Sequence, residues 1–139
     1  MSYEEKGAWV YLVASAGAYV GYLVIMLGRV RDVPLSGVPY VSTVLWSLGI
    51  AVAASVVGRV VLEIAKPSDS HQADARDKEI NRFGEYVGGF VLAVGMVGPF
   101  VLALAEFDHF WIVNAMYAVF VLAAVVGTSV KLVAYRRGL

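Results

Sequence analysis

Long apolar runs alternate with short polar breaks along the whole chain, and the runs share one length. A bilayer core about 30 Å thick takes roughly 20 helical residues at 1.5 Å rise each. Four stretches meet that requirement, at about 8–27, 40–61, 86–105 and 110–130. The first is free of charge from Ala8 to Leu27, and the second is interrupted only by Arg59 near its end. Inside lipid the backbone is satisfied only in helices or closed barrels. A barrel strand alternates polarity over about ten residues, whereas these runs are apolar on every side. The pattern predicts an all-α polytopic membrane protein. Its four transmembrane helices form two antiparallel hairpins in one domain over 1–139, with a charged connector at 63–85.

Composition removes the soluble alternative. Apolar residues make up 60% of the 139 positions and mean hydropathy is +0.73, against roughly 45–50% apolar in ordinary soluble domains. A small domain buries only about 60–70% of its chain surface, so lipid must cover the rest. The 11 basic and 11 acidic residues cancel, which gives no global field for nucleic acid. With no cysteine, disulfides, thiolate catalysis and Cys-type zinc sites are excluded. Ala14-Ser15-Ala16 has the small-x-small form of a signal cleavage site. Glu4 and Glu5 ahead of it, and the unbroken run to Leu27, read instead as an uncleaved span.

The segregation of Lys and Arg sets the expected orientation. Lys6, the connector residues Arg59, Lys66, Arg76, Lys78 and Arg82, and the terminal Lys131, Arg136 and Arg137 fall on one side; only Arg29 and Arg31 fall on the other. Both termini are therefore expected in the cytoplasm. Aromatic residues mark the boundaries as headgroup-level anchors: Tyr3, Trp9 and Tyr11 at the first span, Tyr40 and Trp46 at the second. Phe107, Phe110 and Trp111 flank the third loop, and Tyr135 closes the chain.

Loop one carries Pro34, Gly37 and Pro39, which stop helices and favour turns. Loop three, from Glu106 to His109, is short enough to force an antiparallel return. Small residues recur at helical spacing: Gly17 and Gly21, Gly49 and Ala53, Ala54 and Gly58, Gly84 and Gly88, Ala123 and Gly127. They predict close helix approach, first within one bundle and otherwise between copies in a homo-oligomer. Gly98-Pro99 predicts a kink in the third span.

The connector changes character. Lys66-Pro67 reads as a helix stop, Ser70 or Asp69 as the cap of a new helix, and Ile80, Phe83 and Val87 as one stripe that continues this helix into the third span. Asp74–Lys78 is an attractive pair at i,i+4 and Lys78–Arg82 a repulsive one. Asp74, Asp77 and Glu79 offer acceptors, Arg76 and Arg82 forked donors. Such a set can be a solvated connector, a partner or self-association surface, or, with His71, Asp74 and Asp77, a metal site. Nothing in the spacing demands the metal.

The run Asp74-Ala75-Arg76-Asp77-Lys78-Glu79-Ile80, followed by Phe83-Gly84-Glu85-Tyr86-Val87-Gly88, resembles a small family of uncharacterised bacterial four-helix membrane proteins. In that family a D-x-R-D/E-x-x-I element stands before the third span. The resemblance implies a bacterial plasma-membrane location and the same four-helix fold. Because genes of that family neighbour a small helix-turn-helix regulator, it also implies a tether for a cytoplasmic regulator. It supplies no activity.

Ionisable residues at membrane depth are functional candidates. Arg59 and Glu63 lie four apart on one face, and Glu85 at the start of the third span is expected to meet Arg59. Glu106, Asp108, His109 and Asn114 line the outer end, where an outward cation or proton site is conceivable. No charge sits mid-span, no polar stripe is read through any helix, and no phosphate loop, nucleophile or zinc-protease motif occurs. Haem would require His pairs within spans, and His71 and His109 lie outside them. The expectation is a non-enzymatic, homo-oligomeric membrane protein without cofactor. Its element Asp74, Arg76, Asp77, Glu79 and Arg82 contacts itself or a soluble partner. The alternative is a small oligomeric transporter or channel.

Overall fold

The computed structural model describes residues 3–29, 39–65, 67 and 74–138. The turn expected at Pro34 and Gly37, the caps expected at Asp69 or Ser70, and Arg31, Lys66 and His71 lie outside the described residues. Five helices follow in order: α1 (Tyr3–Arg29), α2 (Val41–Ala65), α3 (Ala75–Gly95), α4 (Val97–Leu104) and α5 (His109–Arg137). Among the described residues there is no strand. With α3 and α4 forming one stretch over Ala75–Leu104, four helices are long and apolar enough to cross a membrane. The chain is a membrane protein.

Helices α1, α3 and α5 outrun their apolar cores. The first turn of α1 holds Glu4 and Glu5, at the positive end of the helix dipole, and the last turn of α5 holds Arg136 and Arg137, at the negative end. α3 begins at Ala75 rather than at Tyr86, so the connector's second half and the third span are one helix, as the Ile80–Phe83–Val87 stripe predicts. Its cap is Asp74, whose Oδ1 accepts from the Asp77 N–H at 2.7 Å while Asp77 Oδ2 accepts from the Asp74 N–H at 3.2 Å. This reciprocal box satisfies two backbone donors at a helix start. It engages Asp74 with the helix start, where the charge pattern suggested Lys78.

The third span breaks at Met96, one turn before Pro99. Proline has no N–H to offer the Gly95 carbonyl, and the regular bonds resume on either side, from Met96 to Leu92 and from Phe100 to Met96. α4 ends with Glu106 at φ 60°, and the Phe107 N–H reaches back to the Leu102 carbonyl at 3.0 Å. A left-handed residue in that position is the usual helix stop, filled most often by glycine.

α1 and α5 lie side by side in the middle, with α2 packed mainly on α1 and α3 mainly on α5. The close approaches are made by glycines. A Cβ on Gly88 would sit 3.2 Å from the Ala123 carbonyl oxygen, and one on Gly127 would sit 3.0 Å from the Gly84 carbonyl. Backbone therefore meets backbone between α3 and α5. Gly58 receives Val10 between α2 and α1. Gly17, Gly21 and Gly49, expected to pack within the bundle, meet nothing within 4 Å in this chain.

Tyr22, Met26, Val44, Phe110 and Tyr117 form a buried apolar cluster, with Tyr19, Tyr40 and Val121 against it. It lies toward the end opposite the termini.

Candidate functional site

The charged residues converge on the end that carries both termini. α3 enters with Asp77 at 6% exposure. Asp77 Oδ1 accepts from the Tyr135 hydroxyl at 2.5 Å, and the neighbouring Arg76 donates to the Tyr135 carbonyl at 3.0 Å while lying 5.5 Å from that ring's centre. Two of the residues assigned from the sequence to a partner surface thus clasp α3 to the end of α5. The reason is register: Asp77, Ile80 and Gly84 share the face that α3 buries on α5. Asp74, Lys78, Glu79 and Arg82 stay exposed, so the outward row is Lys78, Glu79, Arg82 and the adjoining Phe83.

The contact preferred from the sequence, Arg59 with Glu85, does not organise this end. Helix α1 starts a full turn ahead of its apolar run and lays its charges against three other helices. Lys6, 4% exposed, reaches Glu63 of α2 at 3.3 Å. Glu4 stands 4.0 Å from the Arg59 guanidinium and accepts from Asn81 of α3 at 3.4 Å. Glu5 stands 3.9 Å from Arg136 of α5. Arg59 also lies over the Tyr3 ring at 4.5 Å. Its guanidinium passes across Gly7, where any Cβ would collide with it. Glu85 stands apart, exposed. Glu4, Glu5 and Lys6 carry a role that the sequence reading gave them no part in. The signal was there: a charged first turn of both signs just ahead of an uncharged span.

A second polar constellation joins the helices within the membrane-spanning part, toward the end opposite the termini, where no polar stripe was expected. The Tyr22 hydroxyl donates to Asn114 Oδ1, and Asn114 Nδ2 donates to the Phe110 carbonyl at 2.8 Å. Ser47 of α2 hydrogen-bonds the Tyr117 hydroxyl and donates to the Ala18 carbonyl at 3.0 Å. Tyr19 stacks on Tyr22 and meets Tyr117 edge-on, with ring centres 6.2 and 5.1 Å apart. These bonds join α1, α2 and α5 where an unpaired hydroxyl would be costly. Asn114 spends both ends of its amide on packing, which removes it from the outward ion site considered above. Tyr11, Ser15, Tyr19 and Tyr22 fall at helical spacing, and that periodicity announces the stripe. At the same end, Arg29 donates to Thr43 Oγ1 at 2.7 Å and to the Pro39 carbonyl at 3.0 Å. Glu106, Asp108 and His109 are all exposed.

Among the described residues no group of three or more His, Asp or Glu side chains is placed to hold a metal ion. No protein-family model, curated protein or solved structure matches the chain.

Proposed function

We propose that this is a non-enzymatic integral membrane protein of a bacterial plasma membrane that presents the outward face of α3 to a soluble cytoplasmic partner such as a regulator. One observation carries the reading. Glu79 and Arg82, with Lys78, stand exposed on turns of α3 whose opposite face is clamped to α5 through Asp77 and Ile80. A rigid helix bearing mixed charge at a membrane boundary is suited to forked, charge-assisted contacts. The likeness of Asp74–Ile80 to the bacterial four-helix family points the same way.

The reading includes two antiparallel hairpins with termini and connector in the cytoplasm. The pairs Lys6–Glu63 and Arg29–Thr43 at opposite ends of α1 and α2 support the first hairpin. Arg76–Tyr135 and the contact of Gly95 with Val119 support the second. The clustering of Lys and Arg at the terminal end supports the orientation. Self-association is also part of it, because Gly17, Gly21 and Gly49 are uncovered in the single chain and small faces are where membrane helices meet.

The test is photo-cross-linking in cells from the Lys78 position, with E79K/R82E against D77N. The charge reversal should abolish the cross-linked product. An unchanged product, or none from the parent chain, would defeat the reading. Modification of Lys78 by an impermeant amine reagent added outside intact cells would defeat the orientation.

A second reading, a small oligomeric transporter or channel, is favoured by the polar contacts of Tyr22 with Asn114 and of Ser47 with Tyr117, and by Tyr11 and Ser15 lining a groove that Tyr117 also borders. It predicts ion or solute flux in liposomes containing this chain alone, reduced by Y117F.

A further inference from the structure

Between α3 and α5, at the end bearing the termini, lies a cleft of about 410 Å³ that the contacts above leave open. Its lining includes Glu85, Lys131, Thr128 and Tyr11. Glu85 is exposed and Lys131 half-buried. Among the described residues neither has a hydrogen-bond or ion-pair partner, although they carry opposite charges and share one cleft. The stem of Lys131 lies across Gly84, where a Cβ would collide with it, so this glycine makes the room that Lys131 occupies.

Depth and walls narrow the ligand. Glu85 immediately precedes the third apolar run and Lys131 immediately follows the fourth, which puts both at the level where headgroups begin. Deeper in, the cleft continues between Gly88, Gly89, Leu92 and Phe120. A Cβ on Gly89 would meet nothing within 4 Å, so that wall is open to a flexible hydrocarbon chain. A simple anion would be repelled by Glu85 and a simple cation by Lys131. A molecule carrying both charges on a short linker, with an apolar tail, satisfies both.

We propose that the cleft binds a zwitterionic aminophospholipid. Its phosphate lies on Lys131, its primary ammonium donates to Glu85, and one acyl chain runs along Gly88 and Gly89. The assignment is independent of the partner surface on the outward face of α3.

The test is native mass spectrometry of the protein released from phosphatidylcholine nanodiscs that contain equal amounts of phosphatidylethanolamine and phosphatidylglycerol. The parent chain should retain phosphatidylethanolamine over phosphatidylglycerol by about tenfold, the ratio one charge-assisted hydrogen bond commands. E85Q should bring the two lipids level, K131Q should lower both, and K131R should restore the parent pattern. Retention in proportion to abundance, a preference for phosphatidylglycerol, or an ethanolamine preference that survives E85Q would each overturn the site. E85Q changes an exposed side chain at constant shape, and the parent's own selectivity decides the matter even if a variant misfolds.

Discussion

Lys6 is 4% exposed yet reaches Glu63 across the α1–α2 interface at 3.3 Å. The Glu63 side chain is itself only 16% exposed, so the pair sits largely out of water. A buried ion pair adds little over a well-packed apolar pair, but removing one partner takes a charge-assisted contact from the other in a site largely out of water. K6M alone should therefore destabilise by about 1–3 kcal/mol. K6M/E63L should recover most of that loss. Thermal unfolding in detergent of the two variants checks it, and equal destabilisation by both would show that the charge itself is needed.

The clasp of α3 on α5 predicts a local effect. D74A removes a cap worth about 1 kcal/mol, and D77A removes the other half of the box together with the acceptor of Tyr135. Hydrogen exchange should rise at the first turn of α3 in both variants. In D77A it should rise at the last turn of α5 as well, and Y135F should reproduce only the α5 component.

Gly88 and Gly17 look alike in the sequence and behave oppositely in the fold. A Cβ at Gly88 meets the Ala123 carbonyl oxygen at 3.2 Å, whereas one at Gly17 meets nothing within 4 Å. G88V should separate α3 from α5 and lower stability by about 1–3 kcal/mol through overpacking. G17V/G21V should leave the unfolding midpoint of the isolated chain unchanged and lower any oligomer mass measured in lipid.

That contrast shows what the sequence could convey. Four spans and the run of α3 from the connector into the third follow from apolar length and from Ile80, Phe83 and Val87 on one stripe, because lipid and helix period act residue by residue. Partner choice among charges does not follow. Arg59 is four residues from Glu63 on its own helix, yet its contacts are with Glu4 and Tyr3. Where α1 starts, and Gly7's lack of a side chain, decide this, and both are matters of relative helix placement. Arg76 and Asp77 read as surface for the same reason. Asp77 falls one turn before Ile80, at the edge of the apolar stripe, but a carboxylate there among other charges reads as solvated until α5 supplies Tyr135 as its donor.

Glu106 holds φ at 60°, a left-handed conformation that glycine adopts more easily. E106G should stabilise the turn between α4 and α5 by up to about 1 kcal/mol, the lower end of the cost of a left-handed non-glycine residue. Glycine's extra freedom in the unfolded chain offsets part of the gain. A lowered melting temperature would show that the carboxylate itself contributes at this turn.

The Tyr22–Asn114 bond is the sharpest test of the polar stripe as a structural tie. Tyr22 is 2% exposed, and its hydroxyl donates to an amide whose other end is fixed to the Phe110 carbonyl. Y22F leaves Asn114 Oδ1 without its donor in a dry interface, at a cost of about 1–3 kcal/mol. N114L strands the Tyr22 hydroxyl at a similar cost. Combining them removes donor and acceptor together, so Y22F/N114L should be markedly less destabilised than the sum of the single variants, a coupling of about 0.5–1.5 kcal/mol. Additive losses would mean that the two side chains matter only for their shape. A water-mediated path through the stripe should instead show as lost liposome flux in Y22F with no change in unfolding temperature.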